Sequence, residues 1–95
     1  MKVIAIAHRS ETHAPEDFAP HLDAEADHAL GLFGEEKFRE LYSRTDGKGA
    51  IIVLEADSVE QAEEYLNSLP FAQRGMLSFE VYGTAPYRGF MRGIA

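Results

Sequence analysis

Apolar positions recur along this chain with two periods, and their alternation predicts the order of elements. From Lys2 to His8 (KVIAIAH), β-branched residues and alanines follow one another without a helical stripe, which predicts a first strand buried on both faces. After a polar stretch, Phe18, Leu22, Ala26, Ala29/Leu30 and Phe33 recur every three to four residues. That spacing predicts a helix from Phe18 to Phe33, with Pro20 tolerated in its first turn and Gly34 as its stop. Lys37 to Thr45 and Ala50 to Leu54 flank Asp46-Gly47-Lys48-Gly49, the composition of a β-hairpin. Ser58 with Gln61 matches a capping box; Val59, Ala62, Leu66 and Leu69 mark the inner face of a second helix, which Pro70 should end. Met76 to Tyr82 alternates cleanly and predicts a fourth strand, with Leu77, Phe79 and Val81 on one face.

The order β-α-β-β-α-β predicts an α+β, ferredoxin-like fold: an antiparallel four-stranded sheet with two helices on one face. If Ile52 and Leu54 face those helices, Ile51 and Val53 face the other way and leave a bare apolar sheet surface. A second copy stacked sheet to sheet would cover it, so a homodimer is expected, with the stretch from Thr84 to Ala95 available to reach across the two-fold axis. The alternative is that this stretch folds back over its own sheet.

Composition narrows the class. Ninety-five residues, 45% hydrophobic and 26% charged, fit a single folded domain over 1–95. A net charge of −7 is the wrong sign for nucleic acid. The absence of cysteine removes disulfides, thiolate nucleophiles and cysteine-held metals. The apolar run Val3 to Ala7 is far short of the roughly 20 residues that span a bilayer, so no membrane association and a cytoplasmic location are expected. Acids crowd the helices: Glu16 to Glu36 holds seven and no Lys or Arg, while Lys2, Arg9, Lys37, Arg39, Arg44 and Lys48 sit on strands or at their ends. Such a strand arginine either pairs with a ligand carboxylate or answers the helices' acids.

His21, Glu25 and His28, spaced four and three, should share one stripe of the first helix. They could serve as metal ligands or as a carboxylate-oriented base, or remain solvated boundary residues. The ligand set is incomplete, with His8 and His13 as unsupported additions, and no metal is expected. Neither a nucleophile elbow nor a phosphate-binding loop is present. Phe38, Tyr42, Tyr82, Tyr87 and Phe90 line a pocket or fill the core.

The run from Tyr42 to Tyr87 resembles the second half of the small dimeric α/β-barrel proteins of the muconolactone isomerase and YCII-related type. It carries an Arg-x-x-Gly hairpin (Arg44 to Gly47), a Ser-x-Glu helix start (Ser58 to Glu60), a Leu-Pro pair closing the second helix, and a final strand followed by proline. Pro20-His21-Leu22 is similar to the opening of the first helix in YCII-related proteins, where a histidine faces the pocket. Those proteins commonly place Asp where this chain has Leu69, whereas Leu-Pro is what muconolactone isomerases resemble. The resemblance implies a homodimeric dimeric α/β barrel holding a small cyclic carboxylate between sheet and helices, with no cofactor. In that reading Arg44 anchors the carboxylate beside Tyr42 and His28, His21 carries the proton, Glu25 orients it, and Tyr82 donates to a developing enolate oxygen. Two alternatives stay open: a cofactor-free monooxygenase of the same fold, and a non-catalytic YCII-like binding or assembly module, which the missing Asp favours.

Overall fold

The computed structural model describes residues 1–93. Four antiparallel strands, β1 (Lys2–Arg9), β2 (Phe38–Ser43), β3 (Gly49–Glu55) and β4 (Leu77–Gly83), form one sheet in the order β2-β3-β1-β4. This is the ferredoxin-like α+β topology that the pattern predicts. Ahead of the second strand come a short helix α1 (Pro15–Phe18), a 3₁₀ turn (Ala19–His21) and α2 (Leu22–Gly34); α3 (Val59–Asn67) and the single turn α4 (Pro70–Gln73) precede β4.

Strand alternation builds the core. Val3 and Ala5 of β1, Ile52 and Leu54 of β3 and Phe38 of β2 point to one side, where Leu32 of α2, Ala62 and Leu66 of α3 and Leu69 close over them. A smaller cluster joins Phe18, Phe71 and Met76, with the Phe18 and Phe71 rings edge to face at 5.2 Å. The cap of α3 forms as expected at Ser58, whose Oγ accepts from the Gln61 N–H at 3.1 Å, but the Gln61 side chain reaches one residue further out, to the Asp57 N–H at 2.7 Å.

Three details differ from the sequence expectation. β1 is buried on one face only: Val3, Ala5 and Ala7 are enclosed, while Ile4, Ile6 and His8 are half-buried on the open side. The first helix is not continuous from Phe18 to Phe33. The chain kinks through the 3₁₀ turn at Pro20, so helical phase restarts at Leu22 and the inner stripe becomes Glu25, His28, Ala29 and Leu32. Leu22, Leu30 and Phe33, expected inside, are 46%, 67% and 50% exposed. Pro70 does not follow the second helix directly; α3 stops at Asn67, Leu69 is extended as a residue before proline must be, and Pro70 opens α4.

One glycine is fixed by the packing. Gly49 pairs with His8 at the start of β3, with φ +149°, and a Cβ there would run into the Ala7 carbonyl. Gly49→Ala is therefore expected to destabilise the protein by at least about 2 kcal/mol in denaturant unfolding, the cost of moving β3 off β1. Gly31→Ala, where a Cβ meets nothing, is expected to be neutral or stabilising in the same measurement.

Candidate functional site

Small residues on the helix side of the sheet leave space near the end where β1 stops. Ala7, Gly49 and Ala50 form a shallow floor, and α2 stands off it, so that a cleft of about 330 Å³ opens between sheet and helix. Its walls are mostly apolar, from Leu22, Ala26, Ala29, Phe38, Ile52 and Phe71. Polar groups are few: Arg9 at the end of β1, Glu25 on α2 and Ser43 on β2. An apolar hollow with a few convergent polar groups is the usual form of a small-molecule site.

Glu25 is the unusual group here. Its carboxylate accepts the Phe71 N–H at 2.8 Å, which ties α2 to the first turn of α4. Burial pushes its pKa above the ordinary glutamate value, against the smaller lowering effects of the Phe71 N–H and of His28. Arg9 lies across the cleft with its guanidinium 4.6 Å from the centre of the Phe18 ring. The alternation of β1 puts Arg9 on the same face as Val3, Ala5 and Ala7. That signal was present in the sequence, where Arg9 counted only as one strand cation among several.

The other residues singled out from the sequence fall elsewhere. His21 closes the 3₁₀ turn, outside the helical register of Glu25 and His28, and its ring has no hydrogen-bond partner among the described residues. His28 Nε2 lies 2.8 Å from Ser68 Oγ. Because that hydroxyl donates its one proton to the Tyr65 carbonyl, at 2.6 Å, the imidazole must be the donor to it. His28 thus pins α2 to the end of α3. Tyr42 borders the cleft, but its hydroxyl donates to Glu40 at 2.7 Å. Among the described residues no group of three or more His, Asp or Glu is arranged to hold a metal ion.

Arg44 and Tyr82 belong to a polar chain on the opposite, open face of the sheet. Arg44 Nη1 donates to His8 Nδ1 at 2.9 Å and to the Ala7 carbonyl at 3.3 Å, and its other terminal nitrogen pairs with Asp46. A guanidinium only donates, so His8 Nδ1 carries a lone pair and Nε2 carries the proton, which it gives to Glu80 at 2.6 Å. The second Glu80 oxygen accepts from Tyr82 at 2.7 Å. The Tyr82 and His8 hydrogen bonds hold the Glu80 pKa below its ordinary value, and Glu80 in turn raises that of the Tyr82 phenol. The sequence-predicted set is therefore split by the sheet: Glu25 is at the cleft, while the side chains of Tyr42, Arg44 and Tyr82 lie on the face behind it, Tyr42 bordering the cleft from its place on the edge strand. His8, the centre of the rear chain, entered the sequence reading only as an unsupported metal ligand, because its partners lie 36 and 72 residues away.

The raised Glu25 pKa has a signed consequence for stability. A carboxyl with a higher pKa folded than unfolded stabilises the fold while protonated, and that contribution is lost as pH rises through the folded value. Glu25→Gln stays neutral and keeps an acceptor for Phe71. Its stability relative to the parent protein is expected to increase as pH is raised from 4 to 8, read as the difference between the two denaturation curves at each pH. A difference flat in pH would remove the perturbed carboxyl.

No protein family and no curated protein matches the chain. Among solved structures it is similar to the 5-chloro-2-hydroxyhydroquinone dehydrochlorinase TftG from Burkholderia phenoliruptrix AC1100, in complex with 2,5-dihydroxybenzoquinone. The TM-score is 0.72 over 94% of this chain and 98% of that one, at 14% identity. At that identity the likeness shows the shared fold.

Proposed function

We propose that the chain is an enzyme that shifts a proton within a small, anionic, oxygenated ring compound held between α2 and the sheet, using side chains alone. The observation that carries this reading is the half-buried Glu25 carboxyl, raised in pKa by burial, on the wall of an apolar cleft with Arg9 at its edge. A carboxylate taken out of water is a stronger base, and a group poised nearer neutrality is better matched to taking a proton from carbon and returning it. The Arg9 guanidinium pairs with the ligand's carboxylate or with oxygen that becomes negative as the proton leaves. A proton removed from one ring carbon and delivered to another is an isomerisation, which agrees with the muconolactone isomerase resemblance. TftG, a dehydrochlorinase of this fold with a dihydroxybenzoquinone bound, supports ring chemistry as the class by analogy of fold alone.

In this reading Glu25 moves the proton itself, where the sequence assigned it to orient His21, and Arg9 replaces Arg44 as the anion anchor. The protein works as a homodimer, stacked by the open sheet faces, where Ile4, Ile6, Ile51 and Val53 make an apolar centre. A non-catalytic binding module is the second reading, favoured by Leu69, a buried apolar residue where YCII-related proteins commonly carry Asp.

Thermal shift against a panel of aromatic and lactone carboxylates separates the readings. Stabilisation of the parent protein is expected to persist in Arg44→Ala and to vanish in Arg9→Ala, with affinity reduced roughly 10- to 100-fold, the worth of a charge-assisted hydrogen bond. On a ligand found this way, Glu25→Gln is expected to bind as before and to lose ~10²-fold or more in proton–deuteron exchange at ring carbon. Binding without exchange in the parent protein leaves the non-catalytic module; no shift from any ring carboxylate overturns the cleft as their site.

A further inference from the structure

Among the described residues, the segment after β4 is hydrogen-bonded to the body at one place only. Thr84 bonds to the Lys2 carbonyl through its N–H and its hydroxyl. Beyond it, the hydrogen bonds of residues 85–93 stay within the segment, from Phe90 to Tyr87, Met91 to Arg88 and Arg92 to Gly89. Tyr87 and Phe90 stack edge to face at 5.0 Å, yet they are 68% and 81% exposed. The molecule is correspondingly long, 55 × 27 × 20 Å, with a radius of gyration of 15.0 Å against roughly 12 Å for a compact chain of this length. An aromatic pair this exposed, flanked by Arg88 and Arg92 with no acid between Thr84 and Gly93, has no cover among the described residues.

The outer surface of α2 is its complement. Leu30 and Phe33 stand exposed there, and the stretch from Asp27 to Glu36 adds Asp27, Glu35 and Glu36 with no Lys or Arg, Glu35 being paired with the following Lys37 at 2.8 Å. Within one chain the two surfaces are kept apart by the sheet. Phe38, Leu54, Val3 and Gly83 lie in one row across the strands, so the arm leaves from the β4 edge of the row whose opposite edge, at β2, follows the end of α2. We infer that the arm, residues 84–93, seats Tyr87 and Phe90 against Leu30 and Phe33 of α2 in a second copy of this chain.

This rests on the face-to-face pairing proposed above and specifies its symmetry. Two rows cross the open face, Tyr42-Ile51-Ile6-Glu80 and Glu40-Val53-Ile4-Tyr82, so each edge strand carries one tyrosine and one glutamate in opposite order. A two-fold axis parallel to the strands keeps every row level and exchanges the edges. It sets tyrosine over glutamate at all four corners and isoleucine or valine over one another in the middle. The same operation carries the β4 edge over the partner's β2 edge and delivers the arm beside the end of the partner's α2. Two layers of about 10 Å separate the arm's root from that helix surface. With the 3₁₀ turn at Arg88–Phe90 opened, the seven residues from Gly83 to Phe90 extend to about 23 Å, enough to reach it, so seating exchanges the Tyr87–Phe90 stack for contacts with the partner.

The absence of cysteine from the natural chain makes the contact testable by single-site cross-linking. Full-length Phe90→Cys and Leu30→Cys proteins, both altered at exposed positions, are mixed in equal amounts and treated with a short bis-maleimide. The expected product is a heterodimer of the two variants. Thr45→Cys in place of Leu30→Cys, at the far end of the sheet, is expected to give at least roughly fivefold less, as is adding Arg88→Glu and Arg92→Glu to the Phe90→Cys chain. Equal yields from all three mixtures would overturn the inference, as would a Leu30→Cys/Phe90→Cys double variant that cross-links only within its own chain. Sedimentation of the parent protein separates it from the reading beneath it. A dimer that fails to cross-link removes the arm contact and keeps the stacked sheets; a monomer at tens of micromolar removes both.

Discussion

The two-sided pairing of β1 is the interaction on which the rest depends. This strand lies inside the sheet, bonded to β3 along one edge and to β4 along the other, so its residues have no freedom of register. A slip by one position would send Val3, Ala5 and Ala7 to the open face and drive Ile4, Ile6 and His8 into the helices. The same alternation sorts the chemistry. Arg9 continues the buried set to the edge of the cleft, and its neighbour His8 continues the open set to the polar chain through Arg44 and Glu80.

What was legible in the sequence is what local periodicity controls. The four strands, the hairpin and the cap at Ser58 follow from period two, turn chemistry and a Ser–Gln spacing, and all stand in the structure. The bare sheet face follows from the same period. The phase of α2 was illegible because Pro20 takes up part of a turn in 3₁₀ form, and a restart of phase leaves no mark in an apolar spacing that is continuous across it. Site residues were harder still. Arg44 resembled a ligand anchor by its position in a hairpin, but what it meets is fixed by a strand 36 residues earlier. Glu25 attracted notice for its spacing from two histidines, whereas its environment is set by Phe71, 46 residues later.

The two faces handle charge in opposite ways. In the open-face chain the ionisable groups answer one another: Glu80 is met by His8 and Tyr82, Arg44 by Asp46 and His8, Glu40 by Tyr42. Such a chain is saturated, and it fixes side-chain geometry more readily than it exchanges protons. In the cleft, Glu25 is partly dehydrated with one backbone donor to compensate. Satisfied networks give rigidity, and incompletely satisfied groups hold the reserve of electrostatic free energy that ligands can release.

Strand β2 departs from regular pairing between Phe38 and Glu40, where Arg39 has no counterpart on β3. A bulge of this kind increases local twist and interrupts the ladder that an incoming strand would have to match. The outer rim of the sheet is thereby a poor template for lateral growth, and the charges of Arg39 and Glu40 reinforce the barrier. Accretion of copies into a continuous ribbon is disfavoured from this side, which leaves closed assemblies as the accessible ones.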